Sequence, residues 1–448
     1  RISGPTGDEE GKALTLEYLD SSHTRVTESL GRVTTYTFGV FGDLPLITQI
    51  QGPCACGSPD STFEYDTQGR RIAQTDGRGN VTRFAYDGDG NLIKLTDALG
   101  QETTFTYNAF GQVLTTTDPT GATTTFAYDG ATGFLLQVTN ALGHTTTLTP
   151  DAHSRPGAIT NPRGHATAFS YADTGHLSAI TDPAGATTTF AYDDAGRLRS
   201  ATDALGGRTE YTYDARGRLL TVTDPVRAVT QFAYDLAGNR MSLTDPNGRQ
   251  TTYTYDAANR LIALTDPAQS TTIYAYDSES NLLSVKDGKG QTTAFAYDDR
   301  NRLVSRTDPV AKTETLTYDA VGNLTSRTDR KGQTITFTYD PLNRLIEKTL
   351  PGGATVNYAH DPLGRLLSAT DVNGSLAFTY DLLDRVLNTT SPEGRTLTST
   401  YDPAGNRVGL QDETGSLTTY TYDPRNLLTT FTDPRTGSFT FAYDRLGR

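Results

Sequence analysis

The sequence predicts an all-β repeat protein built from serial antiparallel β-hairpins. Three observations lead to this prediction: a 21-residue period, two turn signals within each period, and strand-like composition between the turns. Gly, Tyr and Pro number 43, 24 and 20 among the 448 residues, as expected when one short unit recurs many times. Because only 35% of the residues are apolar, each unit must bury a thin apolar face against its neighbours.

A tyrosine, usually within the motif F-x-Y-D, marks the period of 21 residues. Pro150 and His360 stand at the same phase, which gives nineteen markers. One 22-residue step comes from an extra residue in the turn at 129–133, and one 20-residue step from a residue fewer after Gly374. The tyrosine markers are Tyr65, Tyr86, Tyr107, Tyr128, Tyr171, Tyr192, Tyr213, Tyr234, Tyr255, Tyr276, Tyr297, Tyr318, Tyr339, Tyr380, Tyr401, Tyr422 and Tyr443.

Two turns are predicted in each unit. The first begins with the Asp after the marker, and the second begins about half a unit later, as at Asp97 or at Asp245-Pro246. Asp at the first turn position and Gly at the fourth are typical of a type I turn followed by a residue with positive φ. The representative structural positions are Tyr86, Asp87, Gly90, Tyr192, Asp193, Gly196, Tyr213, Asp214, Gly217, Tyr255 and Asp256.

The stretches between the turns have the length and composition of β-strands. In one of them Thr124, Phe126 and Tyr128 share a face, and sixteen of the nineteen units carry an aromatic residue two positions before the marker. We therefore expect aromatic ladders across one face of the sheet. A long strip of hairpins must curl or coil, since twisted sheets do not stay flat. A parallel β-solenoid with one coil per unit is the alternative.

We expect two regions along the chain. Residues 61–448 form an array of about nineteen repeats, apparently continuing beyond both ends. Residues 1–60 are expected to hold degenerate repeats, of which 31–38 keep the second half of a unit, while 39–60 form an irregular loop.

Several function classes are disfavoured. A net charge of −13 argues against nucleic acid as a partner, because phosphate binding needs a basic surface. No apolar run is long enough to span a membrane. The sequence contains no hydrolase, zinc-protease, P-loop or dinucleotide motif, so we expect no enzyme, no catalytic residue and no cofactor.

Metal binding is not expected either. Residues 87–91 resemble the start of a calcium loop, but the twelfth position is Ala98, which cannot coordinate the ion. Cys54 and Cys56 are interpreted as loop cysteines, since no second pair would complete a zinc site. His144 and His165 follow the Gly of a second turn and are predicted to be exposed.

The units that begin at Tyr192 and Tyr213 read YDDAGRL and YDARGRL, and both resemble the tyrosine–aspartate (YD) repeats of the RHS family. The resemblance implies a strip of hairpins that spirals into a hollow shell. Bacterial members of that family enclose a C-terminal toxin, and the related teneurins act in cell adhesion. The family's closing core segment, whose aspartates release the toxin, is not recognised in this sequence, so neither self-cleavage nor a toxin is assigned.

The resemblance implies a non-catalytic scaffold that encapsulates a polypeptide cargo such as a C-terminal toxin. The alternative is an extracellular filament or cell-surface adhesin built from the same repeats, possibly binding carbohydrate. Expected partners are accordingly the protein's own C-terminal cargo or neighbouring protomers in a fibre, with surface glycans as a further candidate. The expected location is secreted or at the cell surface.

Overall fold

The computed structural model describes residues 14–28, 30–53 and 60–448, in which β-strands are joined by tight turns. All 41 strands belong to one sheet, and the recorded strand pairs are antiparallel neighbours along the chain. The described residues contain no helix. The predicted all-β fold of serial hairpins is confirmed, and the parallel solenoid is excluded because its strands would run in the same direction.

The strands are numbered in chain order. Strands β1 to β14 are Thr15–Tyr18, His23–Thr27, Val33–Phe41, Leu44–Gln51, Thr62–Tyr65, Arg71–Thr75, Val81–Tyr86, Leu92–Thr96, Glu102–Tyr107, Val113–Thr117, Thr123–Tyr128, Leu135–Thr139, Thr145–Pro150 and Pro156–Thr160. Strands β15 to β28 are Ala166–Tyr171, Leu177–Thr181, Thr187–Tyr192, Leu198–Thr202, Arg208–Tyr213, Leu219–Thr223, Val229–Tyr234, Arg240–Thr244, Gln250–Tyr255, Leu261–Thr265, Thr271–Tyr276, Leu282–Lys286, Thr292–Tyr297 and Leu303–Thr307. Strands β29 to β41 are Thr313–Tyr318, Leu324–Thr328, Thr334–Tyr339, Leu345–Thr349, Thr355–His360, Leu366–Asp371, Gly374–Tyr380, Val386–Thr390, Thr396–Tyr401, Arg407–Gln411, Leu417–Tyr422, Leu428–Asp433 and Gly437–Thr440.

The chain divides into two compact units, each made of two separate stretches of the strip. Unit 1 contains an early run up to residue 103 and a late run at 233–358. Unit 2 contains an early run at 104–232 and a late run at 359–448. Inside each unit, therefore, repeats that are far apart in sequence belong to one compact body.

The register shifts at the tyrosine end of the hairpins. Between β17 and β18, Ala191 pairs with Ser200 but Tyr192 pairs with Leu198, which leaves one residue of β18 in a bulge. The pairing of β18 with β19 across the second turn has no such shift. Because a bulge increases the local twist, each repeat adds twist at its first turn.

Burial alternates along the strands as predicted. In β11, Thr124, Phe126 and Tyr128 are half-buried, whereas Thr125 and Ala127 are exposed. The aromatic residues thus lie on the better covered face of the sheet.

The predicted continuous aromatic ladders were wrong for most of the sheet. Phe126 faces Val138 across β11 and β12, and Phe190 faces Ala201 across β17 and β18. In these hairpins the second strand contributes a smaller aliphatic side chain to the row, whereas in others it contributes a charged residue, such as Arg306 opposite Phe295.

The apolar core is thin. Among the described residues the buried apolar side chains are Ile50, Ala73 and Ala122. The accessible surface is 25310 Å², against about 16,600 Å² for a compact monomer of this mass. This excess is expected of a single-layered sheet with solvent on both faces, so contacts between hairpins must supply the stability.

The N-terminal region differs from its prediction. Residues 39–51, expected to be irregular, continue into β3 and β4, which form a long hairpin around Gly42 and Asp43. The sequence pattern missed this hairpin because its two-residue turn lacks the Asp-to-Gly spacing of the repeats. Cys54 and Cys56 lie outside the described residues.

Candidate functional site: the turn edges of the strip

Each first turn is organised by its aspartate. Asp193 Oδ1 accepts hydrogen bonds from the backbone N–H groups of Ala195 (3.0 Å) and Arg197 (2.9 Å). The N–H of Gly196 donates to the carbonyl oxygen of Asp193 at 2.9 Å, which closes the turn. The carboxylate thus satisfies backbone donors that the reversal of the chain would leave unpaired.

The fourth turn position requires a positive φ. It is occupied by glycine at Gly90, Gly196 and Gly217, with φ of 91°, 76° and 83°. Asn259 holds the same position with φ of 59°, since asparagine tolerates the left-handed region better than most residues. The fourth position of the same turn can therefore hold either a glycine, which has no side chain, or an asparagine, which has a side-chain amide.

The marker tyrosines fasten neighbouring hairpins together. Most of them donate the hydroxyl to the carbonyl group fifteen residues earlier, at the start of a strand in the preceding hairpin, whereas Tyr65 donates to Ile47 and Tyr380 to Leu366. The hydroxyl oxygens of Tyr86, Tyr192, Tyr213 and Tyr255 lie 2.9, 2.9, 2.9 and 3.2 Å from the carbonyl oxygens of Arg71, Leu177, Leu198 and Arg240. The repeated tyrosine is thus a cross-hairpin hydrogen-bond donor as well as a strand former.

An arginine five residues after the marker clips one repeat to the next. Arg197 Nε donates to Asp193 Oδ2 at 2.7 Å, and its Nη1 donates to the carbonyl oxygen of Asp214 at 3.0 Å. Its guanidinium lies 5.0 Å from the centre of the Tyr213 ring. Equivalent clips join Arg70 to Asp87, Arg260 to Asp277, Arg302 to Asp319 and Arg385 to Asp402.

Some repeats carry an asparagine in place of that arginine. Asn323 Nδ2 donates to Asp319 Oδ2 at 2.9 Å and to Asn343 Oδ1, in the next repeat, at 2.8 Å. Asn406 makes the same contacts with Asp402 (2.8 Å) and Asn426 (2.9 Å). Each of these sets consists of a first-turn Asp, the Asn four residues after it and the turn Asn of the next repeat. We call such a set a cation socket, because it can bind the guanidinium of an arginine.

In unit 1 a cation socket of the late run holds an arginine of the early run. Arg78, in a second turn, donates from Nη1 to Asn343 Oδ1 and to the carbonyl oxygen of Asp340, both at 3.1 Å. Its Nη2 donates to the carbonyl oxygen of Tyr339 at 3.1 Å, and Asp319 Oδ2 lies 3.7 Å from Nη1. One guanidinium therefore joins two turns about 260 residues apart in sequence.

Unit 2 repeats this arrangement with different residues. Arg163 occupies the same position of a second turn and donates to Asn426 Oδ1 at 3.0 Å and to the carbonyl oxygens of Tyr422 (3.2 Å) and Asp423 (3.3 Å). Asp402 Oδ2 lies 3.5 Å from its Nε. We call the line where the second turns of an early run meet the first turns of a late run the seam.

Apolar contact accompanies the seam in unit 2. A cavity of about 350 Å³ is lined by Ile180 and Ala186 of the early run and by Leu427 and Leu446 of the late run. Arg425 lies beside this cavity, 3.9 Å from Asp182 across the seam. The seam thus combines hydrogen-bonded guanidinium groups with partly buried aliphatic side chains.

The hydrogen bonds at the turns hold the aspartates ionised. The side-chain hydrogen bond from Arg155 lowers the pKa of Asp151 to about 2. The corresponding bond from Arg197 lowers the pKa of Asp193. By contrast, burial raises the pKa of Tyr276 and Tyr318. These shifts accompany structural hydrogen bonds that recur along the strip.

The prediction that His144 and His165 are exposed was wrong. Both side chains are half-buried, and each Nδ1 is buried without a hydrogen-bond partner. His165 lines the same cavity as Ile159 and Thr167.

Within the described residues, His, Cys, Asp and Glu nowhere gather in a group of three that could hold a metal ion. A helix long and apolar enough to span a membrane is likewise not found in that part of the chain.

Two family models match the repeat array. The RHS Repeat model matches residues 65–102, 86–123, 107–132, 128–167, 171–208, 192–229 and 213–246, and the Teneurin YD-shell model matches residues 247–448. Comparison with curated protein sequences gave no match.

Solved structures of TcdB2-TccC3 and of a Tc holotoxin pore share this fold. The crystal structure of TcdB2-TccC3 matches with a TM-score of 0.76 at 16% identity, over 93% of this chain and 29% of that one. The Tc holotoxin pore of Photorhabdus luminescens matches with a TM-score of 0.65 at 17% identity, over 97% of this chain and 27% of that one. The chain thus spans less than a third of the length of these structures, and the likeness extends to the fold.

Proposed function

Because the chain belongs to the family of RHS and YD-repeat proteins, for which a structural shell is the shared role, we propose that it forms part of the wall of a shell that encloses a polypeptide cargo. A toxin domain following the repeats is the cargo that fits best. The wall acts by excluding solvent and proteases, so no catalytic residue and no cofactor are part of the proposal. A secreted or cell-surface location belongs to the same proposal.

The observation that carries this proposal is the seam. A strip of hairpins alone has two open edges, and an open edge cannot retain a protein. Arg78 and Arg163 each bind a turn of a run about 260 residues away, and each joins the edges of two runs within its unit. Edge-to-edge contact of this kind is what a continuous wall requires.

Protease protection tests the proposal. The complete polypeptide that contains these repeats would be treated with a nonspecific protease, and the fragments identified by mass spectrometry. We expect the segment following the repeats to survive intact, and to be cleaved once the double variant Arg78→Ala, Arg163→Ala loosens the seam. Lys331→Ala is the control, since its side chain makes no hydrogen bond or ion pair with the described residues. Rapid cleavage in the unaltered protein would contradict the proposal.

A filament is the second candidate. Val226, Val310 and Val372 lie at second turns with 81, 73 and 82% of their surface exposed, so this edge offers apolar area to further repeats. Electron microscopy separates the two candidates: closed particles of one size support the shell, whereas fibres of variable length support the filament.

A further inference from the structure

Four of the seven lysines in the chain lie together at one edge of the sheet in unit 1. Three consecutive second turns, at 287–291, 308–312 and 329–333, each carry one of them, and the fourth ends β26 directly before the first of these turns. All four are exposed. We call this set the lysine edge, and its members are Lys286, Lys289, Lys312 and Lys331.

The lysine edge carries positive charge that the described part of the chain does not pair. None of the four lysine side chains makes a hydrogen bond or an ion pair with the described residues, and the neighbouring Arg330 pairs with Asp308 at 3.4 Å. At a first turn of the same repeats, by contrast, Arg302 pairs with Asp298 at 2.7 Å. The unpaired cations of these repeats therefore lie mainly at the second turns.

The segment around the lysine edge is basic within an acidic chain. Residues 286–348 contain eleven Lys and Arg against nine Asp and Glu, whereas the whole chain has a net charge of −13. A negatively charged partner is therefore attracted to this edge and repelled by most of the remaining surface.

The lysine edge differs from the second turns that form the seam. Arg78 and Arg163 hold the third position of their second turns. At the lysine edge this position is held by Lys289, Val310 and Lys331. A guanidinium binds several oxygens together through its planar fork, whereas an ammonium group is a compact charge. The lysine edge thus suits separate carboxylates better than a cation socket.

The spacing of the turns limits the shape of a partner. Successive second turns are two strands apart, which places them about 10 Å from one another. In a polyproline II segment every third residue lies on the same side, and such residues are about 9 Å apart. Val310, at the middle turn, is 73% exposed and offers an apolar contact to the residues between the carboxylates.

We propose that the lysine edge is a docking surface for an extended acidic segment of a partner polypeptide, with carboxylates at every third residue. Nucleic acid matches less well, because the turn aspartates Asp287, Asp308 and Asp329 lie among the lysines and leave a small net charge for a dense row of phosphates. A lipid surface matches less well because Val310 alone offers little apolar area for insertion. The proposal is independent of the proposed shell, since the seam is formed by other residues.

A proline-rich acidic peptide provides the probe. Three repeats of Glu-Pro-Pro favour the polyproline II conformation and present carboxylates at the required spacing. The labelled peptide would be titrated with the 448-residue chain while fluorescence anisotropy is recorded. We expect one peptide to bind per chain with a dissociation constant below about 1 mM at low salt. Raising the salt to about 0.3 M should weaken binding by about tenfold, because exposed charges are then screened.

The triple variant Lys289→Gln, Lys312→Gln, Lys331→Gln gives the decisive comparison. It should bind the peptide about tenfold more weakly, as expected when three exposed ion pairs are lost. Lys331→Ala alone should lose part of the binding while leaving the seam intact. A peptide with glutamine in place of each glutamate should bind no better to the unaltered chain than to the triple variant.

A matched control removes the same charge from elsewhere. The variant Arg83→Gln, Arg199→Gln, Arg395→Gln loses three exposed cations outside the lysine edge and should bind the peptide normally. Equal loss of binding in both triple variants would overturn the proposal, as would equal binding of the glutamine peptide. Tighter binding of single-stranded DNA, anionic vesicles or a second copy of the chain at the same lysines would also overturn it. Protease protection of the cargo is measured separately, so the shell and this surface are tested independently.

Discussion

The first turns of the early and late repeats share one backbone conformation but occupy opposite environments. The residue two positions after the turn Asp is exposed through the early repeats and half-buried through the late ones. The exposed set is Gln68, Asp89, Phe110, His153, Thr174, Ala195 and Arg216, and Ala237, in the first repeat of the late run of unit 1, is exposed as an exception. The half-buried set is Ala258, Glu279, Arg300, Val321, Leu342, Leu363, Leu383, Ala404, Arg425 and Leu446.

The chemistry of this one position follows the environment. Where the turn faces solvent, the residue at this position is mostly polar or small, with Phe110 as the exception. Where the turn is covered, the residue is mostly aliphatic or an arginine. The comparison shows that different residues determine how a turn forms and how it packs against another run. The Asp and the positive-φ residue make the turn, and a single variable position adapts it to the seam.

The largest expected effect comes from removing a guanidinium at the seam. Arg163→Ala should lower the free energy of unfolding by about 2 kcal/mol, because hydrogen bonds to a charged group are lost and their acceptors remain covered. Urea denaturation followed by circular dichroism measures the change. Lys331→Ala, at the same position of another second turn, should have almost no effect, since the Lys331 side chain makes no hydrogen bond or ion pair with the described residues. Equal effects of the two variants would show that the seam contributes little to stability.

An aliphatic seam residue should matter less. Leu446→Asn is expected to destabilise the protein by about 1.5 kcal/mol, since the leucine lines the cavity at the seam together with Ile180 and Ala186. The matched control is Phe110→Asn, at the same turn position of an early repeat, where 78% of the residue's surface is exposed. That control should change the melting temperature little. A larger loss from Phe110→Asn would place the covered edge among the early repeats instead.

A change to the turn itself should act in both regions. Gly217→Val should cost about 1 kcal/mol, because a β-branched residue resists the φ of +83° found there. Gly217→Asn should cost less, since Asn343 adopts a similar φ at the equivalent position. Thermal denaturation of both variants distinguishes strain from loss of contact, because a Cβ at this position meets only Arg197, at 3.9 Å. Identical melting of both variants would contradict the turn assignment.

Acid should weaken the turns of early and late repeats alike. The pKa of Asp151 in the folded protein is lowered from its ordinary value of 3.8 to about 2, so its contribution to stability is complete above about pH 4 and is lost as the pH falls through 2. At Asp381 burial opposes ionisation, but hydrogen bonds from Arg385 and Leu383 leave its pKa lowered too.

The variants Asp151→Asn and Asp381→Asn test this shared chemistry. Each should be less stable than the unaltered protein at pH 6, and the difference should shrink as the pH falls, because the native carboxylate is progressively protonated. Asn108 occupies the same turn position in another repeat, so the substitution is compatible with the fold. A stability difference that does not change with pH would show that ionisation of these groups is unimportant.

Much of the local structure could be predicted from single repeats. The turn at Asp193 and Gly196 forms as expected because its hydrogen bonds lie within five residues. Two features that involve neighbouring repeats were missed, namely the clip from Arg197 to Asp214 and the bond from the Tyr213 hydroxyl to Leu198. The recurrence of Arg five residues after the marker was the available signal for the clip.

The seam could not be predicted in the same way. Arg78 and Arg163 look like ordinary turn residues in the sequence, and no 21-residue pattern relates them to Asn343 or Asn426. The half-buried state of His165 was missed for the same reason, since its surroundings include Arg425 of the late run. In both cases the partner lies about 260 residues away.

The sequence by itself determined the repeat, its two turns and the antiparallel hairpin, because Asp, Gly and alternating strand residues act over a few positions. The tertiary structure alone decided which turns meet. Each bulge beside a marker tyrosine adds a small twist, and the sum over many repeats sets which hairpin of a late run lies against an early run. The total twist is a property of the whole strip, so it cannot be predicted from the sequence of a single repeat.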